Sequence, residues 1–299
     1  MLHNIKTRHI FISSLITMDI DKDIQKYTVE NVDRNGIVII DNVKQLPYIG
    51  IDFISPHLVM GLCKSGICEA NYDLRDVRFE KNDFSIVLPR HIVKSQFCSD
   101  DYRAVIILVS EKMYNEMRST GGFDYLINNK ESDFRMDEKD TELVLTFIEL
   151  MKKIQQHAEF SKYEIARRQL RIFCEVVGAL YTKHIKPKSK DEIRNEEIFS
   201  KFHHLMTMHY NKERNVTFYA KELSLSPKYL SHIIKETTGR GAPQWINEYV
   251  ITNAKVLLNE RRDLSIKEIS ETMGFAELPL FCRYFKRSTG MSPSEFRRR

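Results

Sequence analysis

The last eighty or so residues of this chain contain an internal repeat. SPKYLSHIIKETTG (residues 226–239) aligns with LPLFCRYFKRSTG (residues 278–290) at a spacing of 51 positions. The alignment pairs Leu230 with Phe281, Ile234 with Phe285, Lys235 with Lys286, Thr238 with Thr289 and Gly239 with Gly290. A short helical stretch precedes each copy, TFYAKEL (residues 217–223) and SIKEISETM (residues 265–273). Ser265 followed three residues later by Glu268 is a capping box, which predicts where that helix starts. Ser226 is a helix cap with Pro227 at the first helical position, and Gly239 and Gly290 stand where a helix stops in a left-handed residue. Leu225-Ser226 and Gly274-Phe275 supply the turns. Short helix, tight turn and second helix, twice over, is the helix-turn-helix plan, in which the second helix enters the major groove by its N-terminal residues. PQWINEYVITNAKVLLNE (residues 243–260) joins the copies, with Trp245, Ile246, Tyr249, Val250, Leu257 and Leu258 on its apolar side. As a helix it measures about 27 Å, near the ~34 Å between successive major grooves on one DNA face. One chain is thus expected to read two adjacent grooves.

Charge follows the repeat. Residues 193–299 hold 18 Lys+Arg against 12 Asp+Glu, while the preceding 192 residues hold 28 against 29. All the excess positive charge therefore lies beside the repeat, as expected of a domain that meets a polyanion. No run approaches the ~20 apolar residues that span a bilayer, and residues 10–16 are too short and interrupted for a signal-peptide core. The five cysteines are odd in number and scattered, which fits reduced thiols. The chain reads as a soluble cytoplasmic protein with no membrane partner.

Upstream, residues 36–109 are short apolar runs broken by turn residues: GIVII, YIGIDFI, HLVMGLC, ICEANYDL, DFSIVL and YRAVIILV. Strand-length runs at this spacing predict an antiparallel sandwich or barrel. Ser110 begins a more helical stretch. From Asp137 the period changes, with Leu143, Val144, Phe147, Ile148, Met151 and Ile154 on one helical face. A second helix follows, burying Ile165, Phe173, Val176, Val177 and Leu180 and leaving Arg167, Arg168 and Arg171 nearer solvent. PKSKDE (residues 187–192) reads as a linker. Beyond it, Ile198, Phe199, Phe202, Leu205, Met206 and Tyr210 make an amphipathic helix ending near Asn211. The expected class is α+β: a β-domain over residues 1–136, a helical hairpin over 137–186, a linker at 187–192 and an all-α double helix-turn-helix domain over 193–299.

SIKEISETMGFAELPLFCRYFKRSTGMSPSEFR (residues 265–297) resembles the AraC/XylS family of transcription regulators, matching its succession of Ile, Ile-Ala, Gly-Phe, Phe, Arg, Phe-Lys, Gly, Ser-Pro and Tyr-Arg. The first copy carries a paler version through Ala220, Ser226, Leu230, Gly239 and Pro243. The resemblance implies an N-terminal cupin-like antiparallel barrel that senses a small-molecule effector. It also implies a helical region that pairs subunits into a homodimer, double-stranded DNA and RNA polymerase as partners, and activation as the output. With no Gly-rich phosphate loop and no nucleophile motif in the residues, no enzyme activity and no cofactor are expected. Four features depart from the family: Val250 replaces a common Arg, Ser270 an Ala, Cys282 a Ser, and Leu278 and Pro279 fill positions that are often polar. With these departures the second unit is expected to hold the backbone more than it reads sequence.

On the first recognition helix Leu230, Ile233 and Ile234 are the buried side, leaving Lys228, Ser231, His232 and Lys235 outside. The family's contacts carried over residue by residue make Lys228, Ser231 and His232 base-edge candidates. Arg283 is the corresponding candidate on the second helix, since its guanidinium fork suits guanine or phosphate. Lys235, Lys286 and Arg287 are phosphate candidates that set register without sequence information. Residues 297–299 read as a disordered basic tail, with nonspecific phosphate contact as the alternative.

No metal site is expected. His57 and His91 stand apart from other ligands, Cys63 and Cys68 lack a second pair and read as buried thiols, and His203, His204 and His209 point in different directions along a helix. Asp100 and Asp101 read as turn residues. Tyr72, Arg75, Arg78 and Arg90 lie in the β-region with no assigned ligand role. Two other readings of the N-terminal domain stay open: a dimerisation or protein-partner module without a ligand, and a cupin enzyme fused to a DNA-binding module.

Overall fold

In the computed structural model the described residues are 29–44, 52–73, 75–119, 133–157, 162–185 and 188–298. Residues 48–51 of the YIGIDFI run, Leu74, Pro187 and Arg299 lie outside them. The chain divides into two compact units, Met1–Pro187 and Lys188–Arg299. No helix among the described residues is long and apolar enough to cross a membrane.

The first unit runs α1 (Val29–Asn35), β1 (Ile37–Val43), β2 (Asp52–Ile54), β3 (Leu58–Ser65), β4 (Cys68–Tyr72), β5 (Arg75–Phe79), β6 (Asp83–Val87), β7 (Ile92–Cys98), β8 (Arg103–Val109), α2 (Glu111–Ser119), β9 (Asp133–Arg135), α3 (Glu138–Gln156) and α4 (Lys162–His184). Every strand pair is antiparallel, as the runs predict. Among the described residues the strands form two sheets, β1-β8-β3-β6-β9 and β2-β7-β4-β5, the antiparallel sandwich or barrel that the runs predict, with the barrel not closed. At one edge of each sheet stands β2 or β9, described over three residues.

Period-2 alternation then assigns the faces. Leu58, Met60 and Leu62 of β3, Phe84 and Ile86 of β6, and Val105, Ile107 and Val109 of β8 turn one way. They share a core with Val144, Ile148 and Met151 of α3 and Leu170, Phe173 and Val177 of α4. The opposite face, with Val43, Cys63, Ala104 and Ile106, joins Cys68 and Cys98 of the second sheet in a smaller cluster between the sheets. The order of layers is helical hairpin, five-stranded sheet, four-stranded sheet.

Two expectations about the hairpin need correction. Leu143 and Ile154 are exposed, at 50% and 37%, and with Leu150 at 52% form a stripe outside the core. Only Val144, Ile148 and Met151 sit on the axis aimed at the sheet, while Phe147 is half-buried; the apolar face is broader than one sheet can cover. Ile165 and Val176 are likewise half-buried. The ends of the hairpin are tied together: Asp137 caps α3 through the Asp140 amide (2.8 Å), and the buried Asp140 carboxylate accepts from Lys183 Nζ and lies against His184 Nε2, both at 2.6 Å. Asp137, Asp140 and His184 gather three potential ligand atoms, with the Lys183 ammonium bonded to both carboxylates.

The polar residues of the β-region serve the fold. Arg75 pairs with Asp133, Arg78 with Glu80 and Glu69, and Arg90 with Glu111. Tyr72 meets His91, which also contacts Asp73. His57 lies 3.7 Å from Asp33. Asp101 accepts from Ser99 in the turn before β8.

The second unit is entirely helical: α5 (Lys190–His209), α6 (Val216–Glu222), α7 (Pro227–Thr238), α8 (Ala242–Glu260), α9 (Ile266–Thr272), α10 (Leu278–Thr289) and α11 (Pro293–Arg297). Residues 190–192, expected in the linker, belong to α5. Ser189 accepts from the Glu192 amide (3.2 Å) while the Glu192 carboxylate accepts from the Ser189 amide (2.7 Å), a reciprocal cap made of the same polar residues that resemble a loop. Phe202 and Met206 of α5 are buried. His203 is buried among Phe199, Trp245 and Tyr249, His204 is exposed and His209 packs on Phe218.

Candidate nucleic-acid interface

The repeat becomes two helix-turn-helix units, α6–α7 and α9–α10. In each the second helix buries its aliphatic or aromatic stripe: Leu230, Ile233 and Ile234 in α7, Phe281 and Phe285 in α10. Ser226 accepts from the Tyr229 amide and Ser265 from the Glu268 amide, both at 3.2 Å, as the capping residues predict. Both second helices end in left-handed glycines, Gly239 at φ 76° and Gly290 at φ 82°. The threonine before each glycine plays one role twice. Thr238 Oγ1 lies 2.7 Å from the Ile234 carbonyl and 3.1 Å from that of Arg240, and Thr289 Oγ1 lies 2.9 Å from Phe285 and 3.0 Å from Met291.

The turns are not identical. The left-handed residue is Ser224 (φ 57°) in the first and Gly274 (φ 70°) in the second, 50 positions apart, whereas the helices that follow align at 51. The extra residue falls between Gly274 and the cap Glu277, whose side chain makes no cap bond, unlike Ser226. Packed beneath the turns are Ala220 and Ser270, 0% and 1% exposed. The Ser270 hydroxyl is buried without a hydrogen-bond partner among the described residues. Ser270→Ala removes that orphan and improves helix propensity, and is expected to stabilise the domain by about 1 kcal/mol in urea unfolding. An unchanged or lowered midpoint would mean the hydroxyl has a partner.

The two units are braced through the segment after α5. Gly274 lies so close to the Asn211 backbone that an added Cβ would collide with its carbonyl oxygen and come 2.9 Å from its carbonyl carbon. Arg214 donates from Nη2 to the Met273 carbonyl and stacks its guanidinium 3.9 Å from the centre of the Phe275 ring. Burial lowers the Arg214 pKa from its ordinary value. Neither contact is visible in local sequence pattern, because Arg214 and Phe275 are 61 positions apart.

On the outer faces, Lys228, His232, Lys235, Arg283, Lys286 and Arg287 are exposed and Ser231 is half-buried. His232 lies 3.4 Å from Glu236 one turn along its own helix, and the Arg287 guanidinium lies 5.9 Å from the Tyr284 ring centre. Lys228 and Arg283 have no ion-pair partner among the described residues. Two apolar side chains were missed by the sequence reading: Tyr229 and Leu280 are 37% and 41% exposed beside the candidates. Leu278 is half-buried and Pro279 exposed, so the first turn of α10 offers solvent an apolar surface with Arg283 one turn beyond. Residues 297 and 298 are ordered and not a loose tail: Arg297 closes α11 and donates to the Leu264 carbonyl at 2.8 Å.

The joining helix α8 spans 19 residues, about 28 Å. It buries Trp245, Ile246, Tyr249, Val250 and Leu258 between the units, so Val250 fills core where the family often has Arg. At its last residue, burial raises the Glu260 carboxyl from its ordinary 4.5 to about 7. The folded state therefore binds a proton more readily than the unfolded chain between these values. Stability is expected to fall as pH rises from 4.5 to about 7 and to level off above. In Glu260→Gln that slope should flatten; a slope unchanged in the variant would assign it to another group.

A family model described as a helix-turn-helix domain matches residues 219–299. Over 79 residues the chain is 39% identical to the uncharacterized HTH-type transcriptional regulator YijO of Escherichia coli (strain K12), covering 26% of this chain and 28% of that protein. Over 78 residues it is 38% identical to the arabinose operon regulatory protein of the same organism, covering 26% of each. The match thus spans little more than a quarter of the length of these curated relatives. Among solved structures, unsaturated fatty acid-bound ToxT from Vibrio cholerae aligns over 87% of this chain and 94% of its own, at 15% identity and a TM-score of 0.46.

Proposed function

We propose that this chain is a transcription regulator of the AraC/XylS kind that binds double-stranded DNA sequence-specifically and responds to a small-molecule effector. The observation that carries this is the duplicated second helix. Both α7 and α10 bury a continuous apolar stripe and turn a basic face to solvent, joined by a helix of groove-spanning length. Lys228, Ser231, His232 and Arg283 reach base edges and Lys235, Lys286 and Arg287 hold phosphates. The apolar first turn of α10 suits thymine methyl groups, so the second unit reads through Leu280 and Arg283 while holding the backbone with Lys286 and Arg287.

In this reading residues 193–299 are the DNA-binding domain, 1–136 the sensor and 137–186 the dimerisation region, with the unit boundary at Pro187 and Lys188 supporting the division. The exposed stripe of Leu143, Leu150 and Ile154 supports a homodimer, since apolar side chains aligned on one helix face gain by being covered. Activation through RNA polymerase is the family's habit and is proposed on that footing, as is a cytoplasmic location. A second reading, that the N-terminal unit only pairs subunits, is favoured by the same stripe. A thermal-shift screen separates the two, because an effector that binds the native state raises its melting temperature. The DNA claim is tested by mixing the full-length chain with sheared genomic DNA and sequencing what is retained. Recurrent enrichment of one sequence supports it, and uniform recovery rejects it.

A further inference from the structure

Cys68 and Cys98 stand directly opposite each other where β4 pairs with β7. The Ser99 amide donates to the Ile67 carbonyl at 2.9 Å, one residue outside the pair, so the two cysteines occupy a position that exchanges no backbone hydrogen bonds of its own. At such positions facing Cα atoms lie about 4.5 Å apart with side chains on the same face. A disulfide requires a Cα separation of about 4.4–6.8 Å, a range that includes the spacing of such facing pairs. Both side chains enter the cluster between the sheets, where the Cys68 sulfur meets the Cys98 sulfur and the Tyr102 hydroxyl.

The two cysteines differ in exposure. Cys68 is wholly buried, whereas Cys98 is half-buried at the end of its strand. Contact with Cys98 and burial hold the Cys68 thiol protonated, far above the ordinary thiol range. Cys63 nearby is committed elsewhere: its thiol lies 3.4 Å from the Ser65 carbonyl, and burial pushes its pKa up to about 11. A half-buried attacking cysteine backed by a buried resolving one is the arrangement of a redox-sensing pair.

We propose that Cys68 and Cys98 form a redox-active dithiol, oxidised by exchange with a small-molecule disulfide of the glutathione disulfide class. Cys98 releases its proton to solvent, and its thiolate attacks one sulfur of the disulfide RSSR. A mixed disulfide Cys98–S–S–R forms and RS⁻ departs. Cys68 then gives its proton to the departed thiolate and attacks the Cys98 sulfur, expelling the second RS⁻, which takes a proton from solvent. The protein loses two electrons and two protons, and RSSR becomes two RSH. The link fastens the β4–β7 pair covalently and gives the N-terminal unit an input separate from any bound effector.

The test equilibrates the full-length chain in glutathione buffers from reducing to oxidising, traps thiols by alkylation and maps the peptides. Expected is one linked peptide joining Cys68 to Cys98, with the five alkylatable thiols falling to three and the mass falling by about 2 Da. Cys68→Ser should stop at a mixed disulfide on Cys98, Cys98→Ser should keep every remaining thiol alkylatable, and Cys63→Ser should oxidise like the parent. Full alkylation in the most oxidising buffer, a link to any other cysteine, or a link formed only in denaturant would overturn the proposal.

Discussion

Gly274→Ala is expected to unfold the second helix-turn-helix half. Alanine at φ 70° carries the strain of a left-handed residue, about 1–2 kcal/mol. That strain alone would be survivable, as Ser224 holds the equivalent place in the first turn at φ 57°. The greater cost is the collision with the Asn211 backbone, which no side-chain rotation relieves. Either the turn or the segment after α5 must move, and moving the segment breaks the Arg214 bond to Met273 and its stacking on Phe275. The combined cost is expected to exceed about 3 kcal/mol, a large share of a domain's ordinary stability. Ser224→Gly at the equivalent position should be neutral or mildly stabilising. Circular dichroism with urea titration reads both. A Gly274→Ala midpoint close to the parent's would mean that the two halves are not braced through this contact.

The second large effect is on DNA binding. The five basic candidates Lys228, Lys235, Arg283, Lys286 and Arg287 are all exposed. If the three phosphate candidates among them, Lys235, Lys286 and Arg287, each neutralise one phosphate, log affinity should fall with log salt at a slope of about −2.7, about 40-fold between 50 and 200 mM salt. Arg283→Ala should cost about 1–3 kcal/mol on the preferred sequence and relax selection at one base pair. Lys286→Ala should weaken all sequences alike and make the slope shallower by about one. A fluorescence-anisotropy titration of the full-length chain on selected and scrambled duplexes distinguishes these roles. Equal losses on both duplexes for Arg283→Ala would make it a backbone contact and leave sequence reading to α7.

Much of the candidate interface was legible from residue order, because its determinants are local. Ser226, Pro227 and Gly239 act within one helix, and Ser265 finds Glu268 within one turn. Buried and exposed sides of α7 follow from the helical period alone. The same logic failed where a pattern had two physical uses. Ser189 and Glu192 read as linker polarity until their reciprocal bonds made them a helix start. Leu143 and Val144 are equally apolar neighbours, yet only Val144 is buried, because a helix against one sheet covers a narrower arc than its apolar face.

Residue order was enough to give the duplication, the helix caps and stops, the concentration of positive charge in the C-terminal part and the antiparallel character of the strands. All of these depend on neighbours within a few residues or on a repeat that can be counted. Long-range packing was needed to show which sheet each strand joined, that Cys68 faces Cys98, that Arg75, Arg78 and Arg90 are taken up in ion pairs, and that Gly274 meets Asn211. Those contacts join positions far apart along the chain. The free energy that selects them comes from packing and hydrogen bonding after collapse, when residues with identical local patterns find different surroundings.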